Sequence, residues 1–378
     1  MVMTATRMSP SRVPKLRAVR IAVTTTGSAG SASGDTTSDI ICGQVVAVLV
    51  NWHASAPGGT SDITIEGASS GIDLYAKSNA VTDVYKCPSA YGLDAAATAL
   101  TGDVTPQRRC INEGVKVSVA QSDALTNCVV VTVLYRPLLA EQVTVTTTGS
   151  AGSASGNSDS SRIVGEILGL LINYHASTPN TADITIKTKT GSVNIYAKSN
   201  TTTDAFSAPV IFGVDAANSA LSSDVTPQHY CVADKINVAL AQGDALTGAV
   251  VVTIFWAPLE AVRIAVTTTG SAGSASGSTT VAVEGEILGL QVVPHASLPA
   301  TADITISSAA GGHSVWARAD SAAAAYVAPR IYGVSIADSA LSGNVTPEPY
   351  VEHGGLTVAV AQGDALTDAL IVDVFVRR

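Results

Sequence analysis

Eleven residues, TTTGSAGSASG, occur three times in this chain, at Thr24 to Gly34, Thr146 to Gly156 and Thr267 to Gly277. The copies lie about 121 positions apart, and other landmarks keep that spacing. Asn-aromatic-His-Ala-Ser stands at 51–55 and 173–177 and survives as Pro-His-Ala-Ser at 294–297. Asp-Ile-Thr-Ile starts at Asp62, Asp183 and Asp303, and Val-Thr-Pro ends at Pro106, Pro227 and Pro347. Gln-x-Asp-Ala-Leu-Thr starts at Gln121, Gln242 and Gln362. The order never changes. A period this long exceeds that of a solenoid repeat and suits an independent domain. The 378 residues therefore divide into a basic arm, 1–18, and three repeats, 19–140, 141–260 and 261–378.

The repeated stretch is not a phosphate loop, because it lacks the Gly-Lys-Ser/Thr ending. Nor does it contain a Gly-x-Ser-x-Gly nucleophile elbow. Its small residues suit a tight strand–turn–strand in which backbones approach closely. In the second repeat, strands are predicted at 142–148, 165–175, 183–187, 192–197, 235–241 and 249–256. Val, Ile, Thr and aromatic residues fill these runs, and Gly, Asn, Asp, Ser and Pro separate them. The run AVVVTIFW, apolar on both faces, reads as a central strand. One short helix-like stretch, DAANSAL at 215–221, reads as a single turn. Seven or eight strands per repeat indicate an all-β fold of three antiparallel β-sandwich or jelly-roll-like domains.

The connectors limit how the domains sit. They are taken as Arg136 to Gln142 (RPLLAEQ) and Ala257 to Ala261 (APLEA), each stiffened by a proline. Such segments span at most roughly 17–25 Å, so neighbouring domains touch or nearly touch. Equal short connectors permit a pseudo-threefold ring, the arrangement expected here, or an extended rod.

Apolar residues make up 46% of the chain, ample for real cores, while only 13% are charged. The surface is therefore largely Ser, Thr, Ala, Asn and Gly, which suits assembly subunits better than crowded cytosolic enzymes. The net charge of −9 hides an asymmetry. Arg7, Arg12, Lys15, Arg17 and Arg20 crowd the first 20 residues without an acid, leaving 16 basic against 30 acidic residues elsewhere, a net of −14. A basic arm on an acidic body suits docking to an acidic partner surface or to nucleic acid, or is a solvated terminus. Nucleic-acid binding by the body is disfavoured by its charge and by only 4% aromatics. No run of 18 apolar residues is present, and Pro14 and Lys15 interrupt the place where a signal peptide's apolar run would sit. Asn200-Thr-Thr and Asn344-Val-Thr match glycosylation sequons, a short pattern that arises often by chance.

Candidate chemistry is sparse. His53, His175 and His295 occupy equivalent strand ends and could form a metal site if they met on an axis. The alternative is a local backbone bond at each. Asp62, Asp183 and Asp303, and Asp123, Asp244 and Asp364, also repeat, but they sit at turns, where Asp caps the backbone. Asp83 and Asp204 become Ala324 in the third copy. Cys42, Cys87, Cys110, Cys128 and Cys231 do not recur with the repeat and show no Cys-x-x-Cys pattern, so they read as reduced, mostly buried thiols. Catalysis usually needs one unique constellation, whereas every candidate Ser or His is triplicated or confined to one copy. The expectation is no enzyme, no catalytic, cofactor or metal residues, and no cofactor.

The runs Gly165-Glu-Ile-Leu-Gly-Leu-Leu with Ala182-Asp-Ile-Thr-Ile, and Gly285-Glu-Ile-Leu-Gly-Leu with Ala302-Asp-Ile-Thr-Ile, follow a Thr-rich strand and a Gly/Ser/Ala turn. In this the chain resembles small structural proteins of tailed bacteriophages. The first repeat departs, with Gly43-Gln-Val-Val-Ala-Val and Ser61-Asp-Ile-Thr-Ile. The resemblance implies a virion protein on the capsid exterior, assembled in the host cytoplasm, whose partner is the shell of major capsid protein. It implies decoration or cement at local threefold positions, with one chain supplying a covalent pseudo-trimer. The different-class alternative is a glycan-binding or adhesive fibre of three beads, in which Trp52, Trp256 and Trp316 could stack on sugars. These tryptophans stand at non-equivalent places.

Overall fold

The structure, a computed structural model, describes residues 16–55, 59–90, 107–214, 217–219, 226–320, 322–331 and 347–377. Among them there is no helix, and the strands pair antiparallel throughout, apart from one isolated parallel bridge between Val214 and Pro329. The proposed turn at 215–221 falls mostly outside the described residues, as do residues 1–15 of the basic arm; the first strand, Arg17–Val23, already includes Arg17 and Arg20.

Repeat 1 is a sandwich of two sheets. In one, Arg17–Val23 pairs with Val129–Pro137, which pairs with Ile41–Trp52; the far edge of Ile41–Trp52 is shared by Val84–Lys86 and Cys110–Glu113. In the other, the order is Ala32–Thr37, Val115–Ser122, Asp62–Gly67, Asp73–Lys77. Alternation places Val115, Val117 and Val119 inward beside Ile63 and Ile65 of the neighbouring strand, where they meet Val129, Val131 and Val133 of the facing sheet. Each such side chain contributes roughly 1.5–3 kcal/mol on burial. Repeats 2 and 3 rebuild the same layers, with Val250–Pro258 and Leu370–Arg377 as the central strands.

Two features differ from the sequence reading. The strand expected at 165–175 of repeat 2 is the second half of a longer one, Ala154–Tyr174, that runs from one sheet into the other, and Cys231–Gly243 does the same opposite it. In repeat 1 the equivalent strands break at 38–40 and at Gly114. The connectors are also far shorter than the sequence suggested. Only Leu138 separates Val129–Pro137 from Leu139–Val145, and only Leu259 separates Val250–Pro258 from Glu260–Val266. The prolines end strands instead of stiffening a linker, and successive domains are in direct contact.

Candidate functional site: turn locks and interdomain faces

The repeated polar residues are spent on the backbone. In TTTGSAGSASG, Thr26, Thr148 and Thr269 bridge to Ser33, Ser155 and Ser276 around a tight turn. Gly27, Gly149 and Gly270 adopt φ near +130°, and a Cβ at Gly34, Gly156 or Gly277 would overlap the carbonyl oxygen of Thr24, Thr146 or Thr267. The turn is fastened from across the domain. Gly30, Gly152 and Gly273 donate their N–H groups to the Oδ1 atoms of Asp123, Asp244 and Asp364 at 2.8–2.9 Å. Thr25, Thr147 and Thr268 donate their hydroxyls to the carbonyls of the same aspartates. Gln121, Gln242 and Gln362 sit at φ near +52°, and their side-chain amides donate to Asp62, Asp183 and Asp303. Those aspartates also accept the N–H of Asn79, Asn200 and Asp320. The repeated motifs therefore form one interlocked set of turns at one end of each sandwich.

The histidines follow the same rule. His53, His175 and His295 each accept, at Nδ1, the N–H of the serine two residues on, at 3.1 Å. Among the described residues no three His, Cys, Asp or Glu side chains gather as metal ligands. Asp83 and Asp204 accept the N–H of Trp52 and Tyr174 at 2.7 Å. In repeat 3 the acceptor has become Ala324, and the donor position has become Pro294, which has no N–H. Losing both partners together leaves nothing unpaired. The tryptophans are inward-facing: Trp316 is fully buried, with Nε1 donating to Asn218 at 2.9 Å, Trp52 is buried, and Trp256 packs on the repeat 2 core. None offers an open platform for a sugar. Cys110, Cys128 and Cys231 are buried, Cys42 is half-buried, Cys87 is exposed, and all five are free thiols. Burial raises the thiols of Cys110 and Cys231 far above the ordinary range, so neither serves as a nucleophile.

What remains is the contact between domains, which joins one face of each sandwich to a different face of the next. At the first junction Cys110 and Cys42 of repeat 1 pack on Leu168, Leu171, Phe206 and Phe255 of repeat 2. At the second, Tyr230 and Cys231 of repeat 2 pack on Leu288, Tyr326 and Phe375 of repeat 3. Cys110 and Cys231 occupy equivalent positions, as do Leu168 and Leu288, Phe206 and Tyr326, and Phe255 and Phe375, whereas Leu171 is replaced by Gln291. Three of the four phenylalanines of the chain lie on these faces, and Phe255 and Phe375 are fully buried. The second junction adds polar contacts. Tyr326 donates its hydroxyl to the His229 carbonyl at 3.1 Å, and Val214 exchanges backbone bonds with Ala328 and Arg330. The buried Arg330 guanidinium donates to the carbonyls of Ile287, Leu288 and Pro329 and to the Gln228 amide oxygen. A cleft of about 200 Å³ beside it is lined by Glu166, Gln228, His229 and Arg377 among others.

The sequence reading treated these cysteines as inert thiols and missed the faces. A signal was present: the aligned positions Tyr85, Phe206 and Tyr326 are aromatic in every copy of a chain with few aromatics.

No family model matches the chain, and no curated protein matches it. Among solved structures it is similar to a triple jelly roll protein of an archaeal virus, described with its turret assembly. The identity is 10% over 96% of this chain and 89% of the other, with a TM-score of 0.17. It is also similar to a chain of infectious bursal disease virus, Gt strain, at 9% identity over 98% and 79%, with a TM-score of 0.15.

Proposed function

We propose that this protein is a structural component of a virion, a capsid decoration or cement protein on the outer surface of the shell. The observation that supports it is the use to which the repeated residues are put. Three equal domains spend their repeated Asp, Gln, His and Thr on turns, and Phe206, Phe255, Tyr326 and Phe375 on contacts with one another. That is an arrangement for presenting three similar surfaces, and among the described residues no three His, Cys, Asp or Glu side chains gather as metal ligands. On a shell of major capsid protein, local threefold positions offer three similar patches. One chain with three similar surfaces engages them together, so its second and third contacts are effectively intramolecular. The acidic body leaves the basic arm as the segment fitted to an acidic patch of the shell.

The test is cryo-electron microscopy of purified particles that contain this chain, with mass spectrometry to quantify it. The expected result is one chain at each local threefold position on the exterior. Density confined to a tail or fibre, or a chain absent from purified particles, overturns the reading.

A further inference from the structure

The two junctions are one contact used twice, and its two halves are left over at the ends of the chain. The face that receives a preceding domain is filled in repeats 2 and 3 but open in repeat 1. Phe206 and Tyr326 correspond to Tyr85, and Tyr326 is 6% exposed where Tyr85 is 60% exposed. Ala208 and Ala328, at 1% and 0% exposure, correspond to Cys87, which is exposed. Phe255 and Phe375 correspond to the half-buried Leu134, and Leu168 and Leu288 to the half-buried Val46. The opposite face shows the mirror of this. Cys110 and Cys231, 5% and 2% exposed, correspond to Val351, which is 68% exposed.

Both open faces keep the chemistry of the filled ones. Tyr85 retains the hydroxyl that Tyr326 uses, and the carbonyl at the His229 position is that of Pro349. Arg377 reaches across the second junction to Glu166 at 3.9 Å. The corresponding positions on the open faces are Arg136 and Glu286, again of opposite charge. A contact between two different faces is heterologous, and if it does not close within a chain it continues to the next one.

We propose that the Val351 face of one molecule docks on the Tyr85 face of a second copy of this chain, extending the internal junction head to tail. This inference rests on the faces alone and does not depend on where the protein serves. Val351 fills the place taken by Cys110 and Cys231, against Val46, Tyr85 and Leu134 of the neighbour. Arg136 of the neighbour pairs with Glu286.

The experiment uses the full chain under reducing conditions, with sedimentation velocity over a wide concentration range and Cys87 alkylation in parallel. Wild type is expected to associate with concentration and to protect Cys87 as it does. Tyr85→Asp and Val351→Asp, both at exposed positions and checked for folding by circular dichroism, are each expected to weaken association by roughly thirtyfold or more, the loss typical of a central interface anchor. Mixed one to one, each variant supplies the face the other lacks. The mixture is expected to stop at a heterodimer, an outcome that a symmetric like-on-like contact does not give. Wild type that stays monomeric at every concentration with Cys87 open overturns the proposal. So does a Tyr85→Cys/Val351→Cys variant that crosslinks within single monomeric chains, because that closes a ring in one molecule.

Discussion

The first and second junctions join the same two faces of the same fold, yet they are held by different chemistry. Cys110 meets an apolar bed of Leu168, Leu171, Phe206 and Phe255, an arrangement that is adhesive but indifferent to small slides. At the second junction the corresponding bed contains Tyr326, and the edge contains Arg330 and the bridge between Val214 and Pro329. Hydrogen bonds there fix a register. Apolar burial supplies most of the energy at both, and among the described residues Tyr326, Arg330 and Val214 add hydrogen bonds that specify the geometry of the second.

The largest effect should come from the shared element. Phe255→Ala and Phe375→Ala each open a cavity at a fully buried site and should each cost about 3–5 kcal/mol in chemical denaturation. Equal losses would confirm that the two beds are energetically alike. Next, Arg330→Met leaves four carbonyl oxygens without this donor and should cost about 2–3 kcal/mol, with faster amide exchange at 228–230 and none added at the first junction. Tyr326→Phe converts the second bed towards the first by removing one bond to His229, a loss of about 1 kcal/mol. Salt should separate the junctions least. The Arg377–Glu166 pair is half-exposed on its arginine side and worth at most about 1 kcal/mol, so raised salt loosens the second junction slightly and leaves the first unchanged.

One test should find no difference. Burial raises the Cys110 and Cys231 thiols above their ordinary value of 9.0, so the folded state holds those protons longer than the unfolded state. Their contribution is complete below that ordinary value and is lost as the pH rises past it. Both junctions should therefore weaken together in alkali. In dilute native protein at neutral pH, where chains are unassociated, thiol reagents should modify Cys87 and spare Cys110 and Cys231. Labelling of Cys110 without Cys231 would show the apolar junction opening on its own.

The local rules were legible in the sequence because they are local. Alternation in the strand containing Val238 and Leu240, and the turn composition of TTTGSAGSASG, follow from period and small side chains. The turn role of the repeated aspartates was also readable, though their particular donors were not, since Gly152 and Asp244 lie 92 residues apart. The sequence reading misplaced what depends on neighbours. It began the connectors at Arg136 and Ala257, whereas ladder pairing carries both strands on to Pro137 and Pro258. It began a strand only at Gly165, after the polar Ser158 to Arg162, yet the strand starts at Ala154 and pairs along Cys231–Gly243. The faces were illegible for a different reason: an aromatic on an edge strand looks the same whether its partner is core or another domain.

The way the chain enters and leaves each domain has a mechanical consequence. The first strand of each repeat lies antiparallel beside the last, with Arg17 opposite Tyr135, Leu139 opposite Trp256 and Glu260 opposite Val376. Entry and exit are therefore at the same end of the pair. Tension along the chain does not shear that pair; it peels it apart one hydrogen bond at a time, so the load never falls on many bonds at once. A string of such domains is a poor tether under flow or pull. It bears load well only when pressed or clamped through its side faces.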